Sequence, residues 1–308
     1  MIRALAAVVL VALLCGCGST SGDALDSSLS ALRTPAVTAP PSSPPPAAAG
    51  CAHPTWSLRP SGATSGGFVD TIRRRGRLIA GVDQNTLLLG YANPLRGQRI
   101  EGFEIDLLRQ ISRALFGRPD RIEFRALTTA ERGDAVADGT VDIVADAFTI
   151  TCTRLRQVAF SSVYLSAGQR VLVPTRSPAR SLRDLRGKRV CATKGSTTIA
   201  ALDDYPGVIP HPVAQRTDCL VALQRGEADA ITSDDAILLG FQAEDPYTKV
   251  IGGPIEPEPY GMAISKRHPE FVRFVNGVLA GMRADGTWRR LYRQWLPGTP
   301  QQPPVHYR

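Results

Sequence analysis

Apolar residues in the central part of the chain follow two different spacings. An unbroken apolar run at 78–82 is typical of a strand that is buried on both faces. In the segment 102–116, apolar residues recur every three or four positions and form one face of a helix, with Arg109 on the other face. Gly117 ends this helix, and a further strand follows at 122–124. Strands that alternate with helices predict an α/β fold.

The same order of local features occurs twice along the chain. Residues 135–145 and 222–232 each contain the end of a helix, a glycine, an acidic turn and an apolar strand. Each strand leads into a polar loop, at 146–149 in the first copy and at 233–235 in the second. These two copies predict two similar lobes. Because ligands of open α/β sheets bind beyond the carboxyl ends of the strands, two such lobes that face each other form a ligand cleft.

The N-terminus has the features of an export signal. Arg3 precedes an apolar run at 4–14, which is too short to span a bilayer as a helix, since this requires about 20 residues. The sequence Leu-Cys-Gly-Cys that ends at Cys17 resembles a bacterial lipobox, and only Cys17 is placed for lipidation. We therefore expect residues 1–16 to be a signal peptide. Acyl chains on Cys17 are expected to anchor the mature lipoprotein to the cell membrane on its extracytoplasmic side.

Residues 17–66 show no apolar periodicity. Proline recurs there among Ala, Ser and Gly, most densely at 44–46. Such a segment buries too little apolar surface to fold, and its prolines keep it extended. It is therefore predicted to be a tether between the lipidated Cys17 and the folded lobes.

Composition and charge exclude several classes of protein. The chain has 308 residues, of which 43% are hydrophobic, so a wholly disordered protein is excluded. The formal net charge of +8 is mild for this length and does not require an anionic partner. The dense basic run at 73–77 is expected to be the exposed end of a helix. Because the protein is also expected to be exported, nucleic acid is not an expected partner.

Four cysteines follow Cys17, and they are Cys51, Cys152, Cys191 and Cys219. An even number of cysteines in an exported protein predicts disulfides, and four cysteines allow three pairings. Cys191 and Cys219 fall in the same half of the folded part, which favours the pairs Cys191–Cys219 and Cys51–Cys152. Neither a metal nor a cofactor is expected, because no Cys-x-x-Cys occurs and the four histidines are scattered.

Three motifs in a fixed order carry a resemblance to a known family. They are Gly-Phe-Glu-Ile-Asp-Leu at 102–107, Thr-Ile-Thr-Cys-Thr-Arg at 149–154 with a later Phe-Ser and Tyr at 160–164, and Ala-Asp-Gly-Thr-Trp with a second Trp at 284–295. The set resembles the family-3 extracellular solute-binding proteins, the polar-amino-acid receptors of bacterial import systems. It is most similar to actinobacterial glutamine/glutamate-binding lipoproteins. The second motif departs from the family pattern, because Thr153 stands at a usually acidic position and Cys152 replaces Pro or Asp.

The resemblance covers about residues 70–297 and implies the type II periplasmic-binding-protein-like fold, with a ligand cleft between two α/β lobes. It implies a discontinuous first lobe at 67–169 and 258–297. The second lobe is expected at 170–257, and a tail follows at 298–308. The two lobes are therefore expected to come from an interleaved chain and not from two successive halves.

A free amino acid is a zwitterion, and the resemblance assigns groups to both of its charges. Arg154 is expected to hold the α-carboxylate with its guanidinium fork, and Thr149 to add its hydroxyl and N–H groups. Asp234 is expected to bind the ammonium group, although Asp235 is an equal candidate by spacing. Phe103 is expected to form an apolar wall over the ligand side chain.

Further groups are expected around the ligand. Ser196 and Thr197 precede a helix, where they either offer N–H groups to an anion or serve only as N-caps. Asp146 and Ala147 correspond to family positions that contribute mostly backbone groups. The loop that starts at Asp83 is where the family reads the side chain of the ligand.

The identity of the ligand side chain stays open at this point. The polar residues at 84–86 are able to hydrogen-bond an amide or a carboxylate, so Glu, Gln, Asp and Asn are the expected ligands, without a ranking. An acidic ligand requires a cation in this region, and the candidates are Lys194, Arg99 and Arg170. No motif selects one of them.

The resulting hypothesis is a lipid-anchored receptor that captures a polar amino acid by closure of its lobes and presents it to an ABC importer in the membrane. An amino-acid sensor that docks on a membrane signalling protein uses the same binding chemistry, and the sequence does not separate the two partners. An enzyme such as a dehydratase requires a general acid in the cleft. No catalysis is expected, because the histidines lie outside the matched motifs and Asp234 is assigned to the ammonium group.

Overall fold

The computed structural model of the protein describes residues 51–61 and 65–308. The predicted signal peptide, the lipidation site Cys17 and most of the predicted tether lie outside these ranges. Within them, no helix has both the length and the apolar character that a membrane crossing requires.

Helices and strands alternate through the described residues, as the sequence predicts for an α/β fold. The α-helices are α1 (Gly67–Arg75), α2 (Phe103–Phe116), α3 (Arg132–Ala137), α4 (Cys152–Gln157), α5 (Thr197–Ala200), α6 (Arg216–Gln224), α7 (Asp235–Glu244), α8 (Pro269–Ala284) and α9 (Thr287–Trp295). Short 3-10 helices lie at Pro94–Arg96, Leu182–Leu185 and Ala201–Asp204. The strands are β1 (Leu78–Val82), β2 (Asn85–Thr86), β3 (Gly90–Asn93), β4 (Arg99–Glu101), β5 (Ile122–Ala126), β6 (Ile143–Val144), β7 (Val158–Phe160), β8 (Leu165–Pro174), β9 (Arg189–Thr193), β10 (Ile209–Val213), β11 (Ala230–Asp234), β12 (Thr248–Ile251), β13 (Pro257–Tyr260) and β14 (Ala263–Ser265).

The first lobe is built on a five-stranded sheet in the order β5-β1-β6-β14-β7. Strand β1 lies between β5 and β6 and is parallel to both, whereas β14 is antiparallel to β6 and β7. Every residue of β1 is buried, and both α2 and α3 pack against this strand. The apolar run at 78–82 is therefore a central parallel strand, as its pattern predicts.

The second lobe is built on a sheet in the order β10-β9-β11-β8-β12, and β13 pairs with the first part of β8. Strand β9 is parallel to β10 and β11, whereas β8 is antiparallel to β11 and β12. A small antiparallel sheet of β2, β3 and β4 packs against α2 of the first lobe. The two larger sheets confirm the predicted two-lobed α/β fold.

The chain crosses between the lobes twice, and the two crossings lie side by side. Strand β7 belongs to the first sheet and β8 to the second, whereas β13 belongs to the second sheet and β14 to the first. Residues 165–168 of β8 pair antiparallel with residues 257–260 of β13, and we call these two segments the hinge strands. The lobe boundaries expected after residues 169 and 257 fall at or inside this pair.

Helices α2, α8 and α9 of the first lobe pack on one another around Trp288. The Trp288 side chain is fully buried, and its indole N–H donates to the Tyr164 carbonyl over 2.8 Å. Helix α2 begins directly after Gly102, whose φ is 138°. A Cβ atom there would lie 2.2 Å from the Leu89 carbonyl oxygen, so the first family motif starts with glycine for a steric reason.

Residues 51–61, which the sequence assigns to the tether, are part of the folded protein. Ser57 is 3% exposed and forms a parallel β-bridge with Tyr307 of the predicted tail. The Ser57 hydroxyl donates to the Phe160 carbonyl over 2.8 Å, and the Asn276 amide donates to Ser57 Oγ over 2.7 Å. The end of the predicted tether and the predicted tail thus meet on the first lobe. Local sequence does not reveal this contact, because the partners of Ser57 are distant in the chain.

The structure contains the two disulfides that the sequence favours. Cys51 is bonded to Cys152 at the start of α4, with a Cα–Cα distance of 5.7 Å. Cys191 on β9 is bonded to Cys219 on α6, with a Cα–Cα distance of 5.5 Å. Each bridge therefore holds one of two helices, α4 and α6, whose first turns face the space between the lobes.

Candidate functional site

A small, nearly filled cavity lies between the two lobes. Several of the residues singled out from the sequence line it, and these are Ala147, Thr149, Ser196, Thr197 and Asp234. The other lining residues are Thr129, Arg132, Thr193, Thr198, Arg216, Ser233 and Ile237. The cavity lies at the carboxyl ends of strands from both sheets, where a cleft is expected.

Arg154 lies beside this cavity, near the start of α4. The Thr151 hydroxyl caps the helix by accepting the Arg154 N–H over 3.2 Å. The Arg154 guanidinium donates to the Thr149 carbonyl at 2.7 Å and to the Gly195 carbonyl of the second lobe at 3.1 Å. Arg154 therefore spans the two lobes at one end of the cleft.

The Arg154 side chain is half-buried. Burial lowers its pKa to about 9, and the positive charge of Arg132 contributes to this shift. Among the ion pairs of the described residues, none involves Arg154. Its Cζ atom lies 4.9 Å from the centre of the Phe148 ring. A half-buried guanidinium that donates only to carbonyl groups keeps its capacity to bind an anion.

Asp234 and Asp235, which are equal candidates by spacing, have different surroundings. Asp234 precedes α7 and lines the cavity, and its carboxylate accepts the Tyr260 hydroxyl over 2.5 Å. Asp235 instead accepts the Gly168 N–H over 3.3 Å, outside the cavity. Burial raises the pKa of Asp234 to about 7, and the nearby Glu258 carboxylate contributes to this shift. Of these two candidates, Asp234 is therefore the one whose carboxylate lies at the cavity.

Glu258 is a buried carboxylate on a hinge strand, and sequence analysis does not single it out. It accepts the Thr197 hydroxyl of the second lobe over 2.8 Å. Burial raises the pKa of Glu258, while hydrogen bonds from the Thr149 and Thr197 hydroxyls oppose the rise. Glu258 therefore connects the two lobes at the hinge, and its charge acts on both Arg154 and Asp234.

The loop after β9 fits the N-cap alternative for Ser196. The Ser196 hydroxyl accepts the Ile199 N–H over 3.0 Å and donates to the Thr193 carbonyl over 2.7 Å. The Thr197 hydroxyl is bonded to Glu258. Helix α5 has only four residues, so its dipole is too short to support a strong anion site. Both residues line the cavity, but their hydroxyls are engaged within the protein.

Ala147 adopts a left-handed backbone conformation with φ of 44°, which is rare for a residue with a Cβ atom. Its N–H donates to the Glu104 carboxylate over 2.7 Å, and its carbonyl accepts from Arg132 over 3.2 Å. Burial raises the pKa of Glu104 to about 7, and the charge of Asp146 contributes. The backbone groups of Ala147 that the resemblance assigns to the ligand are thus hydrogen-bonded within the first lobe.

Phe103 does not line the cavity, which differs from the sequence prediction. Its side chain is fully buried, and its ring centre lies 6.2 Å from that of Trp288 and 6.5 Å from that of Tyr164. The motif places Phe103 at the first residue of α2, but the packing of α9 determines which way this residue faces. Phe103 is therefore a core residue of the first lobe.

A buried ion-pair cluster, which we call the Arg216 cluster, joins Asp83, Asp146 and Arg216. Asp83 follows β1 and Asp146 follows the parallel strand β6, so both carboxylates lie at the same edge of the first sheet. Arg216 is the first residue of α6 in the second lobe, and its Nη1 atom donates to both carboxylates. These side chains are at most 6% exposed. The Asp146 carbonyl also accepts from Arg216, so both backbone and side chain of Asp146 serve the cluster.

Arg132 is a second buried cation that sequence analysis does not single out. It is the first residue of α3 and is 2% exposed. Its Nη1 atom donates to the carbonyls of Asp146 at 2.5 Å and Ala147 at 3.2 Å, while the nearest carboxylate oxygen, on Asp146, is 3.9 Å away. Arg132 Nε has no hydrogen-bond partner within the protein. Arg132 therefore brings a guanidinium with unused donors to the cavity wall.

The cations named from the sequence are not among the lining residues. Lys194 and Arg99 are exposed, and Arg170 donates to the Gly252 carbonyl over 3.0 Å. Both missed arginines, by contrast, begin a helix that follows the carboxyl end of a strand, α3 after β5 and α6 after β10. A cation directly after such a strand is thus the sequence signal that leads to Arg132 and Arg216.

A larger groove of about 460 Å³ lies on the first lobe, between the 51–58 segment and α4. Arg156 and Lys266 are among its lining residues, which include no Asp or Glu. The smaller cavity does contain such a carboxylate, that of Asp234, so we take it as the candidate ligand site. In residues 51–61 and 65–308, no group of His, Cys, Asp and Glu side chains is arranged to hold a metal ion.

Known proteins share both the sequence motifs and this fold. A sequence profile of the bacterial extracellular solute-binding proteins, family 3, matches residues 78–298. The glutamine-binding protein GlnH of Bacillus subtilis is 33% identical over 233 residues, which are 75% of this chain and 85% of the relative. The glutamate-binding protein GluB of Corynebacterium glutamicum is 30% identical over 256 residues, 78% of this chain and 85% of the relative.

A solved structure supports the same assignment. An ancestral arginine-binding protein bound to arginine superposes with a TM-score of 0.67 and 30% sequence identity, over 72% of this chain and 99% of the other. Together with the profile match, this likeness identifies the chain as a member of the bacterial extracellular solute-binding proteins, family 3.

Proposed function

We propose that the protein is an extracytoplasmic receptor that closes its lobes around a polar amino acid and delivers it to an ABC importer. Binding alone is the mechanism, and no covalent step is involved. The relatives named for glutamine and glutamate support a ligand with an amide or acidic side chain. The Bacillus subtilis relative is named as part of an ABC transporter, which supports the importer as partner.

The observation that carries this proposal is a pair of opposite charges at the cavity. The Arg154 guanidinium donates only to carbonyl groups and is therefore free to bind the α-carboxylate of the ligand. The Asp234 carboxylate lines the same cavity and is the partner for the ammonium group. Thr149 lies between them, since its carbonyl holds Arg154 and its side chain lines the cavity.

Arg132 is proposed to bind the side chain of the ligand. Arg132 lines the cavity, and a guanidinium suits the oxygen of a carboxylate or of a carboxamide. The arginine-binding neighbour has the same fold, so the fold alone does not select the ligand side chain. We therefore assign the choice of ligand side chain in this protein to Arg132 and the groups around it.

Calorimetric titration of the full-length protein in detergent tests this proposal. One of Gln, Glu, Asn and Asp is expected to bind with a micromolar or lower Kd, and Arg154→Ala is expected to abolish binding. Arg156→Ala is the matched control, because Arg156 is exposed on the same helix. Retained affinity in Arg154→Ala would refute the assigned site, and no heat with any amino acid would refute the receptor function.

Uptake by whole cells tests delivery to an importer. Deletion of the gene is expected to stop import of the radiolabelled ligand found by calorimetry. The wild-type gene is expected to restore import, and the Arg154→Ala gene is not. Normal uptake in the deletion strain would contradict delivery to an importer while leaving amino-acid binding intact.

The lipid anchor at Cys17 is part of the proposal and is supported by the lipobox-like sequence. Cells grown with a labelled fatty acid are expected to label the wild-type protein, and Cys17→Ala is expected to lose both the label and the membrane association. Cys15→Ala is the control, because it changes the neighbouring cysteine and is expected to keep the label. An unlabelled wild-type protein would contradict the anchor.

A further inference from the structure

Arg216 reaches from the second lobe into the first. Its Nη1 atom donates to the carboxylates of Asp83 and Asp146, and its Nη2 atom donates to the Asp146 carbonyl over 3.2 Å. All of these acceptors belong to the first lobe. The guanidinium of Arg216, a residue of the second lobe, therefore occupies a cation site whose acceptors all come from the first lobe.

The first lobe holds the Asp83 carboxylate independently of Arg216. One Asp83 oxygen accepts the Asn85 N–H over 2.7 Å, and the other accepts the Thr86 hydroxyl over 2.6 Å. Asp146 is fully buried at the end of the parallel strand β6, next to β1. Because these groups are fixed within one lobe, the two carboxylates are expected to stay in place when the guanidinium is removed.

This cation site is continuous with the candidate amino-acid site. Arg216 lines the same cavity as Thr149 and Asp234. We propose that Arg216 is a built-in guanidinium that fills the cation site of Asp83 and Asp146 and thereby excludes amino acids with cationic side chains. The inference rests on the proposed function and adds to it the residue that keeps arginine and lysine out of the ligand class.

The charges around the cavity support this role. Two carboxylates and two guanidiniums, those of Arg216 and Arg132, balance one another on this side of the cleft. A cationic ligand side chain therefore finds the Asp83 and Asp146 carboxylates already paired with Arg216. Without Arg216 the same region has a net negative charge, and buried carboxylates require a cation or a proton. The guanidinium or ammonium group of a ligand side chain can supply that cation.

A purely structural role for Arg216 predicts a different result. If Arg216 only holds the lobes together, its removal weakens the binding of every ligand and creates no new affinity. If Arg216 excludes cationic side chains, its removal creates affinity for a cationic amino acid. Gain of binding is therefore the decisive measurement.

The test is calorimetric titration of the full-length protein in detergent with L-glutamine, L-glutamate, L-arginine and L-lysine. The wild type is expected to bind a glutamine-class ligand and not arginine. Arg216→Ala is expected to bind L-arginine at least about tenfold more tightly than the wild type, because hydrogen bonds to a charged partner contribute this much or more. A wild type that binds none of the amino acids refutes the proposed function. A wild type that binds its ligand, with a variant that gains no arginine affinity, refutes only this inference.

Two further variants test whether the gained arginine affinity comes from the site that Arg216 fills. Arg216→Gln keeps much of the side-chain volume and one donor for the carboxylates, so it serves if Arg216→Ala does not fold, and a smaller gain of arginine binding is expected. Adding Asp83→Asn and Asp146→Asn to Arg216→Ala is expected to abolish the gained affinity. Arginine binding that persists in this triple variant would place the cation elsewhere and overturn the inference.

Discussion

Arg154 and Arg216 stand at the same cleft with the same side chain, but their surroundings are opposite. Arg154 donates only to the carbonyls of Thr149 and Gly195, and burial lowers its pKa to about 9. Burial also acts to lower the pKa of Arg216, but the carboxylates of Asp146 and Asp83 raise it well above its ordinary value. The Arg216 guanidinium is therefore paired with carboxylates of the protein, whereas the Arg154 guanidinium is not.

The difference shows that burial of a charged group does not by itself mark a ligand site. A buried guanidinium between two carboxylates has its charge neutralised and contributes to the contact between the lobes. A half-buried guanidinium that meets only carbonyl groups has a desolvation cost that an anionic ligand relieves. The number of charged partners therefore separates Arg216 from Arg154, the arginine that is proposed to bind the ligand carboxylate.

The largest expected effect concerns Arg216, whose charge is paired with two buried carboxylates. Arg216→Met is expected to lower the free energy of unfolding of the ligand-free protein by about 3 kcal/mol, because it leaves Asp83 and Asp146 buried without their cation. Arg154→Met is expected to change it by less than about 1 kcal/mol, because it removes a charge that has no carboxylate partner. Urea unfolding at pH 8 measures both values. Equal losses in the two variants would remove the distinction between the arginines.

The next largest effect is on ligand affinity and concerns Arg154, which donates only to carbonyl groups. Arg154→Lys keeps the charge but loses the planar fork, so ligand affinity is expected to fall by about 100-fold. Arg216→Lys is expected to have a smaller effect, since an ammonium group still pairs with the two carboxylates. Calorimetry with the same ligand compares the variants. An unchanged affinity in Arg154→Lys would exclude the bidentate contact with the α-carboxylate.

A smaller effect depends on pH and tests the partner of the ligand ammonium. The pKa of Asp234 is raised to about 7, so this carboxyl is mostly protonated at pH 6 and mostly ionised at pH 8. Because an ammonium group requires the ionised form, affinity at pH 6 is expected to be about tenfold weaker than at pH 8, and binding below pH 7 releases a proton. Calorimetry in two buffers of different ionisation enthalpy measures both the affinity and the released proton.

Two variants separate Asp234 from the other buried carboxyl near the cavity. Asp234→Asn is expected to bind weakly at every pH in this range, without the pH dependence. Glu104, whose pKa is also about 7, bonds to Ala147 and Tyr164, so Glu104→Gln is expected to keep the dependence. If the pH dependence followed Glu104 instead, Asp234 would lose its assigned role.

The smallest expected effect tests whether the lobes close tightly near the Arg216 cluster. A Cβ atom on Gly240 of α7 would lie 2.7 Å from the Leu87 carbonyl oxygen of the first lobe. Gly240→Ala is therefore expected to weaken ligand binding by about fivefold, equivalent to about 1 kcal/mol of overpacking. Gly281→Ala on α8 is the matched control, because its Cβ meets no atom within 4 Å and it gives the same gain in helix propensity. An equal affinity in both variants would show that this contact does not limit closure.

The architecture of the protein was accessible from local sequence because its strands are buried on both faces. The apolar run at 78–82 predicts β1, and the two similar segments around 135–145 and 222–232 predict the paired lobes. The ordered packing of residues 51–61 was not accessible. It depends on partners such as Tyr307 and Asn276, and a proline-rich segment carries no periodicity that indicates such partners.

The candidate site was only partly accessible. Arg154, Thr149 and Asp234 lie in or beside local motifs that end strands or begin helices. In the structure Thr149 and Asp234 line the cavity, and Arg154 bonds to the Thr149 carbonyl beside it. Sequence analysis missed Arg216 because its role depends on its ion pair with Asp83, which is 133 residues away in the chain. Phe103 was assigned to the cleft because a motif specifies where a helix starts and not the direction in which its side chains pack.

The Cys51–Cys152 bond has a mechanical consequence. Cys152 is the first residue of α4, so tension along the chain at Cys51 enters the fold through a covalent link two residues before Arg154. The first lobe bears this load, while the second lobe is joined to it through the hinge strands alone as continuous chain. In the proposed anchored receptor, the second lobe is therefore the part that swings when the lobes move, and the first lobe, which carries Arg154, stays fixed to the tether.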